Sequence, residues 1–437
     1  MHFGTDGVRG RANTELTASF ALDLGRAAAR VLGASRAVVG GDSRISTPML
    51  EAAFVAGLSS EGVEVIRIGV APTAAIAFEA AVLGAMGAVV SASHNSYEDN
   101  GIKLFAVGGT KLPDELEQRI EQALGALPAP SGEPAAVHGR RDLGDYVDHL
   151  VGVLEGRDLR GLRVVVDTAN GAASHIAGDV FGRAGAQVVV INASPNGRNI
   201  NAGCGATDPA ALQAAVTAER AHAGVALDGD ADRLIAVDER GDVVDGDHVI
   251  AICAADMRER GVLHDDTVVV TVMANLGFHI AMRESGIRVV QTDVGDRYVL
   301  EALLAGGYSL GGEQSGHVIF PDHATTGDGM LTALALLDVV QRSGKQLSQL
   351  AEAAMTQLPQ VLVNIQVGTR RVDVAALLAD DIAAAQSALG EDGRILVRAS
   401  GTEPLIRVMV EAPTRELAQV TAESLARRVR AHPELGR

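Results

Sequence analysis

At 437 residues the chain is too long for one hydrophobic core, and 47% hydrophobic against 21% charged residues is the balance of an ordinary soluble globular protein of three or four domains. A net charge of −18, from 37 basic and 55 acidic residues, excludes a general affinity for nucleic acid, and 3% aromatics with no Trp excludes stacking platforms for single strands. Cys204 and Cys253 are the only cysteines, which excludes a disulfide framework; with no apolar run near the ~18 residues of a membrane span and no signal-like N-terminus, the expected compartment is the cytoplasm.

Taken in order, residues 3–10 (FGTDGVRG) set Arg9 between glycines, where a guanidinium can reach a ligand with little steric hindrance. Ala37 to Gly40 predicts a strand, GDSRIS a loop, Pro48 to Leu58 a helix and Val63 to Ile68 a second strand. Gly87 to Val90 predicts a buried strand. Ser91 to Lys103 (SASHNSYEDNGIK) then opens as a loop with more hydrogen-bonding capacity than a turn needs. The Pro- and Gly-rich stretch ALPAPSGEPA, residues 126–135, is an excursion before a first boundary near 145.

The strand–loop–helix–strand order returns from Leu162 as RVVVD, TANGAAS, a helix to about Gly182 and Gln187 to Asn192. It returns again from Thr267 as TVVVTV, MANLG, a helix to Glu284 and Ile287 to Gln291. Three such units at wide, unequal spacing predict three related α/β domains, with further boundaries near Asp247 and Pro359. Beyond Pro359 the pattern changes to a strand over Val361 to Val367, a helix over Val372 to Leu389, two strands around a polar loop in GRILVRASGTEPLIRVMVE, and a last helix from about Arg415 to Arg430. That predicts a small α+β domain with an antiparallel sheet. The expected domains are therefore 1–145, 146–246, 247–359 and 360–437.

Besides Ser91 to Lys103, three more loops carry chemistry. In LDGDADR, Asp228, Asp230 and Asp232 alternate, and three such carboxylates repel unless a cation sits among them; a hard divalent ion such as Mg²⁺ is the natural partner. The spacing imitates an EF-hand but fails at its sixth position, where Arg233 replaces the required glycine; Arg233 instead suggests a phosphate held jointly by metal and guanidinium. In GGEQSGH, after a strand-like Tyr308 to Leu310, Glu313 and Ser315 offer groups suited to sugar hydroxyls, and His317 follows them. In RASGTEP, Arg398, Ser400, Gly401 and Thr402 form an anion nest suited to a phosphate monoester.

Together FGTDGVRG, SASHN…DNGIK, DGDADR, VGDRYV, GGEQSGH with DHATTGDG, and RASGTEPLIRVMVE resemble the α-D-phosphohexomutase superfamily along the whole chain. The resemblance implies an α/β fold in four domains: three related α/β sandwich domains with mixed sheets, then a C-terminal α+β domain with an antiparallel sheet. It implies an isomerase-class phosphotransferase interconverting glucosamine 6-phosphate and glucosamine 1-phosphate through a phosphoserine enzyme and a 1,6-bisphosphate, on the route to UDP-N-acetylglucosamine. A phosphomannomutase or phosphoglucomutase of the same superfamily is the alternative; Gln314 and DHATTGDG look like the glucosamine branch.

Residue by residue, the resemblance puts the required phosphorylation on Ser93, which composition alone does not distinguish from Ser91. One Mg²⁺ per active site would lie on Asp228, Asp230, Asp232 and a phosphoserine oxygen of Ser93. Arg233 would hold the transferring phosphoryl group, Arg9 would support it, and Lys103 and His317 would assist proton transfer. Glu313 and Ser315 would read the sugar, and Arg398, Ser400, Gly401 and Thr402 the distal phosphate. The implied partner is a small sugar phosphate, with no nucleic acid or membrane and with room for a homodimer. The family's His-Asn-Pro continuation is here His94-Asn95-Ser96, which predicts a somewhat more mobile loop.

Overall fold

A computed structural model describes residues 2–4, 6–130, 132–139, 142–367, 374–399 and 405–432. The chain forms two compact units, one of residues 1–273 and 285–354, the other of 274–284 and 355–437.

The first unit contains three sheets. The first has six strands: β1 (Val8–Arg11), β2 (Arg36–Gly41), β3 (Glu64–Val70), β4 (Met86–Val90), β5 (Asp99–Phe105) and β6 (Val137–His138), in the order β1-β5-β4-β2-β3-β6. The second has β7 (Arg163–Asp167), β8 (Gln187–Ile191), β9 (Ala223–Leu227), β10 (Leu234–Asp238) and β11 (Val243–Val244), in the order β11-β10-β9-β7-β8. The third has β12 (Thr267–Thr271), β13 (Arg288–Thr292), β14 (Gly311–Gly312) and β15 (Val318–Ile319), in the order β13-β12-β14-β15.

One pattern underlies all three. A central strand pairs in parallel with the next strand on one side and with the third on the other, and the third turns back into an antiparallel hairpin: β2, β3, β4/β5; β7, β8, β9/β10; β12, β13, β14/β15. All three sheets are mixed, as the fold class requires. The central strands β2, β7 and β12, with β9, are Val- and Ala-containing runs buried along all or nearly all of their length, whereas β8 and β13, at the sheet edges, are partly exposed. Each hairpin loop therefore sits at the C-terminal end of a parallel strand, where open α/β sheets hold their ligands.

Three expectations shift. The run Ser91 to Lys103 is loop only as far as Glu98, because β5 begins at Asp99 and Lys103 lies in strand, paired opposite Val89. Tyr308 to Leu310 is not strand; the short strand is Gly311–Gly312, drawn in by its pairing to Val269 and Val270. The third repeat's helix, Leu276–Glu284, groups with the second unit. Buried Glu411 accepts there from the Leu276 amide at 2.9 Å and from Asn275 Nδ2 at 3.2 Å, satisfying the helix's first free donor.

The second unit holds the antiparallel sheet β16-β18-β17, from β16 (Gln360–Gln366), β17 (Arg394–Ala399) and β18 (Leu405–Glu411). It packs on the helix Arg415–Ala431 through Val408, Val410, Ala418, Ala422 and Leu425. The helix expected over Val372 to Leu389 is two pieces, Val374–Leu377 and Ala379–Leu389. Ser400, Gly401 and Thr402 lie outside the described residues. Among the described residues no helix is long and apolar enough to cross a membrane.

Candidate active site

The hairpin loops of the first unit supply the site. Ser93 follows β4 with φ of +49°, a left-handed conformation that costs a side-chain-bearing residue on the order of 1–2 kcal/mol. That conformation turns its hydroxyl to the next sheet's hairpin, where Ser93 Oγ donates to Asp228 Oδ2 at 2.6 Å although the two residues are 135 apart in sequence. Ser91 is occupied differently: its Oγ donates to Asp42 at 2.6 Å and accepts from the Ser93 amide at 2.9 Å. The two serines that composition left equal thus face different surroundings, and it is Ser93 that faces the acids.

Asp228, Asp230 and Asp232 are buried, and one ligand atom from each lies within 4.8 Å of the others. Burial, then Asp232 and Asp230, pushes the Asp228 carboxyl well above the usual range, and burial with Asp232 raises Asp230. Asp232 goes the other way: burial opposes its charge, but Lys103 and His317 outweigh it. Asp230 Oδ1 and Asp232 Oδ1 are buried with no hydrogen-bond partner, while Asp230 Oδ2 is oriented by Thr73 Oγ1 at 2.6 Å. Three converging carboxylates, two with an oxygen left over, form an all-oxygen donor set that fits a hard divalent cation.

Beside them runs a closed ring of alternating charge. Asp6 meets Lys103 at 2.8 Å, Lys103 meets Asp232 at 3.2 Å, Asp232 meets His317 Nδ1 at 3.6 Å, and His317 Nε2 meets Asp296 at 3.5 Å. Asp296 pairs with Lys111, and Lys111 returns to Asp6 at 3.9 Å. Lys103 is held well above its ordinary value: burial opposes the charge, but Asp6, Asp232 and Asp230 outweigh it. The Gly327 amide donates to His317 Nε2 at 3.2 Å, so the neutral ring carries its proton on Nδ1, towards Asp232.

Arg233 and Arg9 flank this ring. Arg233 Nε makes no hydrogen bond and lies 4.0 Å from Asp232, and Arg9 pairs with Asp6. Glu313 and Ser315 project from the third hairpin, partly exposed and exposed, 3.4 Å from each other. Gly316 closes that hairpin at φ +93° with the Leu234 carbonyl 2.1 Å from where a Cβ would stand, so only glycine lets the loop lie against β10. In the second unit Arg398 stands opposite Arg407 across β17 and β18; burial, then the Arg407 charge, lowers its guanidinium from the ordinary value.

Sequence reasoning passed over Asp6, Thr73, Lys111 and Asp296. Asp6 and Asp296 sit in FGTDGVRG and VGDRYV, stretches used for the resemblance without roles for these acids, so a signal was present. Thr73 and Lys111 are ordinary at their own positions and acquire meaning only from Asp230 and Asp296.

Comparison with known proteins agrees with this geometry. The four consecutive domains of the phosphoglucomutase/phosphomannomutase family match in order: alpha/beta/alpha domain I over residues 1–128, domain II over 144–241, domain III over 245–358 and the C-terminal domain over 362–428. The chain is 55% identical to the phosphoglucosamine mutase of Frankia alni, over 98% of each chain, and 55% identical to that of Desulforudis audaxviator, over 97% of each. Among solved structures it superposes on a phosphoglucomutase/phosphomannomutase family protein from Burkholderia thailandensis with a TM-score of 0.83 at 26% identity, covering 98% of this chain and 97% of that one. An Aspergillus fumigatus N-acetylphosphoglucosamine mutase, solved with GlcNAc-6P and magnesium, shares the fold with a TM-score of 0.71 at 21% identity, over 98% and 95%.

Proposed function

Because the chain belongs to the phosphoglucosamine mutases of the phosphoglucomutase/phosphomannomutase family, and is thus a phosphohexomutase of the isomerase class, we propose that it interconverts glucosamine 6-phosphate and glucosamine 1-phosphate by way of phosphorylated Ser93. The observation that carries the proposal is the 2.6 Å approach of Ser93 Oγ to Asp228 within a cluster of three buried aspartates. A nucleophile that must accept and release a phosphoryl dianion needs that concentration of ion-binding groups around it.

A free sugar hydroxyl attacks phosphorus, the new sugar–oxygen bond to phosphorus forms as the bond to Ser93 Oγ breaks, and a glucosamine 1,6-bisphosphate results. The proton the hydroxyl gives up balances the one that Ser93 Oγ takes up to regain its hydrogen bond with Asp228, and His317, set between Asp232 and Asp296, assists that exchange. Lys103, expected from the resemblance to assist proton transfer, has three carboxylates within 3.7 Å that hold it as an ammonium, so we assign it instead to offset charge on the group in flight. Arg233 and Arg9 take its remaining oxygens. Asp228, Asp230, Asp232 and a phosphoserine oxygen would hold one Mg²⁺, which when bound supplies neutralising charge to the transferring phosphoryl group. After the bisphosphate turns over, the reverse transfer returns its other phosphate to Ser93.

Glu313 and Ser315 read the sugar in either orientation, and Arg398 with Ser400, Gly401 and Thr402 takes the phosphate not in transfer. On this reading the phosphoserine loop belongs to a domain of residues 1–145, the metal loop to 146–246, the sugar loop to 247–359 and the phosphate loop to 360–437. The cytoplasm, where sugar phosphates are made, is the expected site of action.

Two measurements test the reading. Fragmentation mass spectrometry of the purified protein is expected to place a phosphate on Ser93 and not Ser91. Turnover with glucosamine 6-phosphate is expected to exceed that with glucose or mannose 6-phosphate; equal or better processing of those hexoses would move the assignment to the phosphoglucomutase/phosphomannomutase branch.

A further inference from the structure

We propose that Arg44 and Asn201 form a two-sided backbone clamp that positions Ser93 for phosphoryl transfer; the inference rests on Ser93 as the phosphoryl carrier. Arg44 lies in GDSRIS, which reads from sequence as a loop, and among the described residues it is the bulkiest side chain buried to this degree, at 1% exposure. All five of its N–H donors are used. Nε donates to Asp42 Oδ2 at 2.7 Å; Nη2 donates to the Ser93 and Asn95 carbonyls, both at 2.9 Å; Nη1 donates to the Asp99 carbonyl at 3.1 Å and to that of Ser96. Asp42 is held in turn by Thr47 Oγ1 at 2.9 Å and Ser91 Oγ at 2.6 Å.

Asn201 arrives from the second sheet's side, on the segment between β8 and β9. Its Nδ2 donates to the same two carbonyls, Ser93 at 2.8 Å and Asn95 at 3.0 Å. One backbone segment is thus gripped by a guanidinium from its own domain and an amide from the neighbouring one. Gly229, between the metal-site aspartates, completes the fit: a Cβ there would stand 2.5 Å from the Ser93 carbonyl and 2.9 Å from Asn201 Nδ2.

A buried arginine is costly unless every donor is met, and many folds do without one. Here three of its five donors point at the backbone of a single loop and a fourth at Asp99, the first residue of β5 that follows it, and that loop holds Ser93 at its unfavourable φ. Fixing the Ser93 carbonyl fixes the rotation of the residue and so the direction of Oγ. The clamp also bears on Ser96: its carbonyl is held by Arg44, so the restraint a proline would have given comes from a side chain elsewhere.

The test uses the full-length enzyme with Mg²⁺, glucosamine 6-phosphate and glucose 1,6-bisphosphate as phosphoryl donor. Asn201→Ala is expected to lower kcat ~10- to 100-fold with KM within about twofold, since a displaced nucleophile loses rate rather than substrate binding. Asn201→Asp, the same shape with a carboxylate facing two carbonyls, is expected to be worse than Asn201→Ala, whereas a space-filling role predicts the opposite order. Arg44→Lys, which keeps charge and loses the fork, is expected to fall at least as far, and millimolar guanidinium is expected to restore part of the activity of Arg44→Ala but not of Asn201→Ala. If the Arg44 variants do not fold, the order of the two Asn201 variants decides. Asn201→Ala with wild-type kcat, or Asn201→Asp more active than Asn201→Ala, overturns the clamp while leaving the mutase reading intact. Wild-type protein that never carries phosphate on Ser93 removes the mutase reading instead.

Discussion

The loop after β4 and the loop after β14 occupy the same place in two copies of one sheet pattern, yet they are held in opposite ways. Ser93 is buried, its own carbonyl is held by Arg44 and by Asn201 from two domains, and its hydroxyl is committed to Asp228. Glu313 and Ser315 reach solvent and bond mainly to each other. On the proposed function, the difference follows from what each loop would do. Transfer of a phosphoryl group demands a nucleophile whose position does not vary, while a sugar presented in two orientations is better read by groups that have no fixed partner.

Substitutions can break or sharpen this contrast. Ser93→Ala is expected to lower kcat on the order of 10⁴-fold or more with the fold intact, measured by turnover and circular dichroism, because the covalent carrier itself is lost. Retained activity would end the contrast. Thr73→Val removes the hydroxyl that orients Asp230, and the Mg²⁺ concentration for half-maximal activity is expected to rise ~10- to 100-fold while saturating Mg²⁺ restores most of kcat. In the open loop, Glu313→Gln is expected to act on recognition: KM for glucosamine 6-phosphate rises about tenfold, and phosphate on Ser93, read by intact mass, is unchanged. A fall in Ser93 phosphorylation instead would show that the two loops are not separate in function. The smallest effect is expected for Ser96→Pro. With the Ser96 carbonyl already held, kcat should stay within about twofold and stability change by under about 1 kcal/mol in denaturant titration. A large gain in kcat would mean that the loop is less restrained than its contacts indicate.

Much of the fold is legible in the residues. The Val-rich runs at 163–167 and 267–271 alternate with helical segments, and that periodicity alone predicts related α/β units. It fails where pairing overrides composition: Gly311–Gly312 has poor strand propensity and is strand only because β12 lies beside it, and the helix Leu276–Glu284 is claimed by Glu411, 135 residues away from Leu276. Within the site, the acids at 228, 230 and 232 are conspicuous because like charges at alternate positions need a reason. Lys111 and Thr73 give no such sign.

By itself the sequence determined the chemistry on offer: three carboxylates that need a cation, a serine in a polar loop, arginines for phosphate, and an order of motifs that resembles one superfamily along the whole chain. Its composition left Ser91 and Ser93 equal, with the family resemblance alone pointing to Ser93, and it did not show what Arg44 in the loop GDSRIS would hold. The surroundings of these residues depend on contacts between residues far apart in the chain: Ser93 with Asp228, Ser91 with Asp42, and Arg44 and Asn201 with the same two carbonyls. The periodicity of a strand or helix reports its own burial and is silent about which loop its end will meet. That meeting is set by how the sheets pack, and here it gave the Ser93 loop its direction and its restraint.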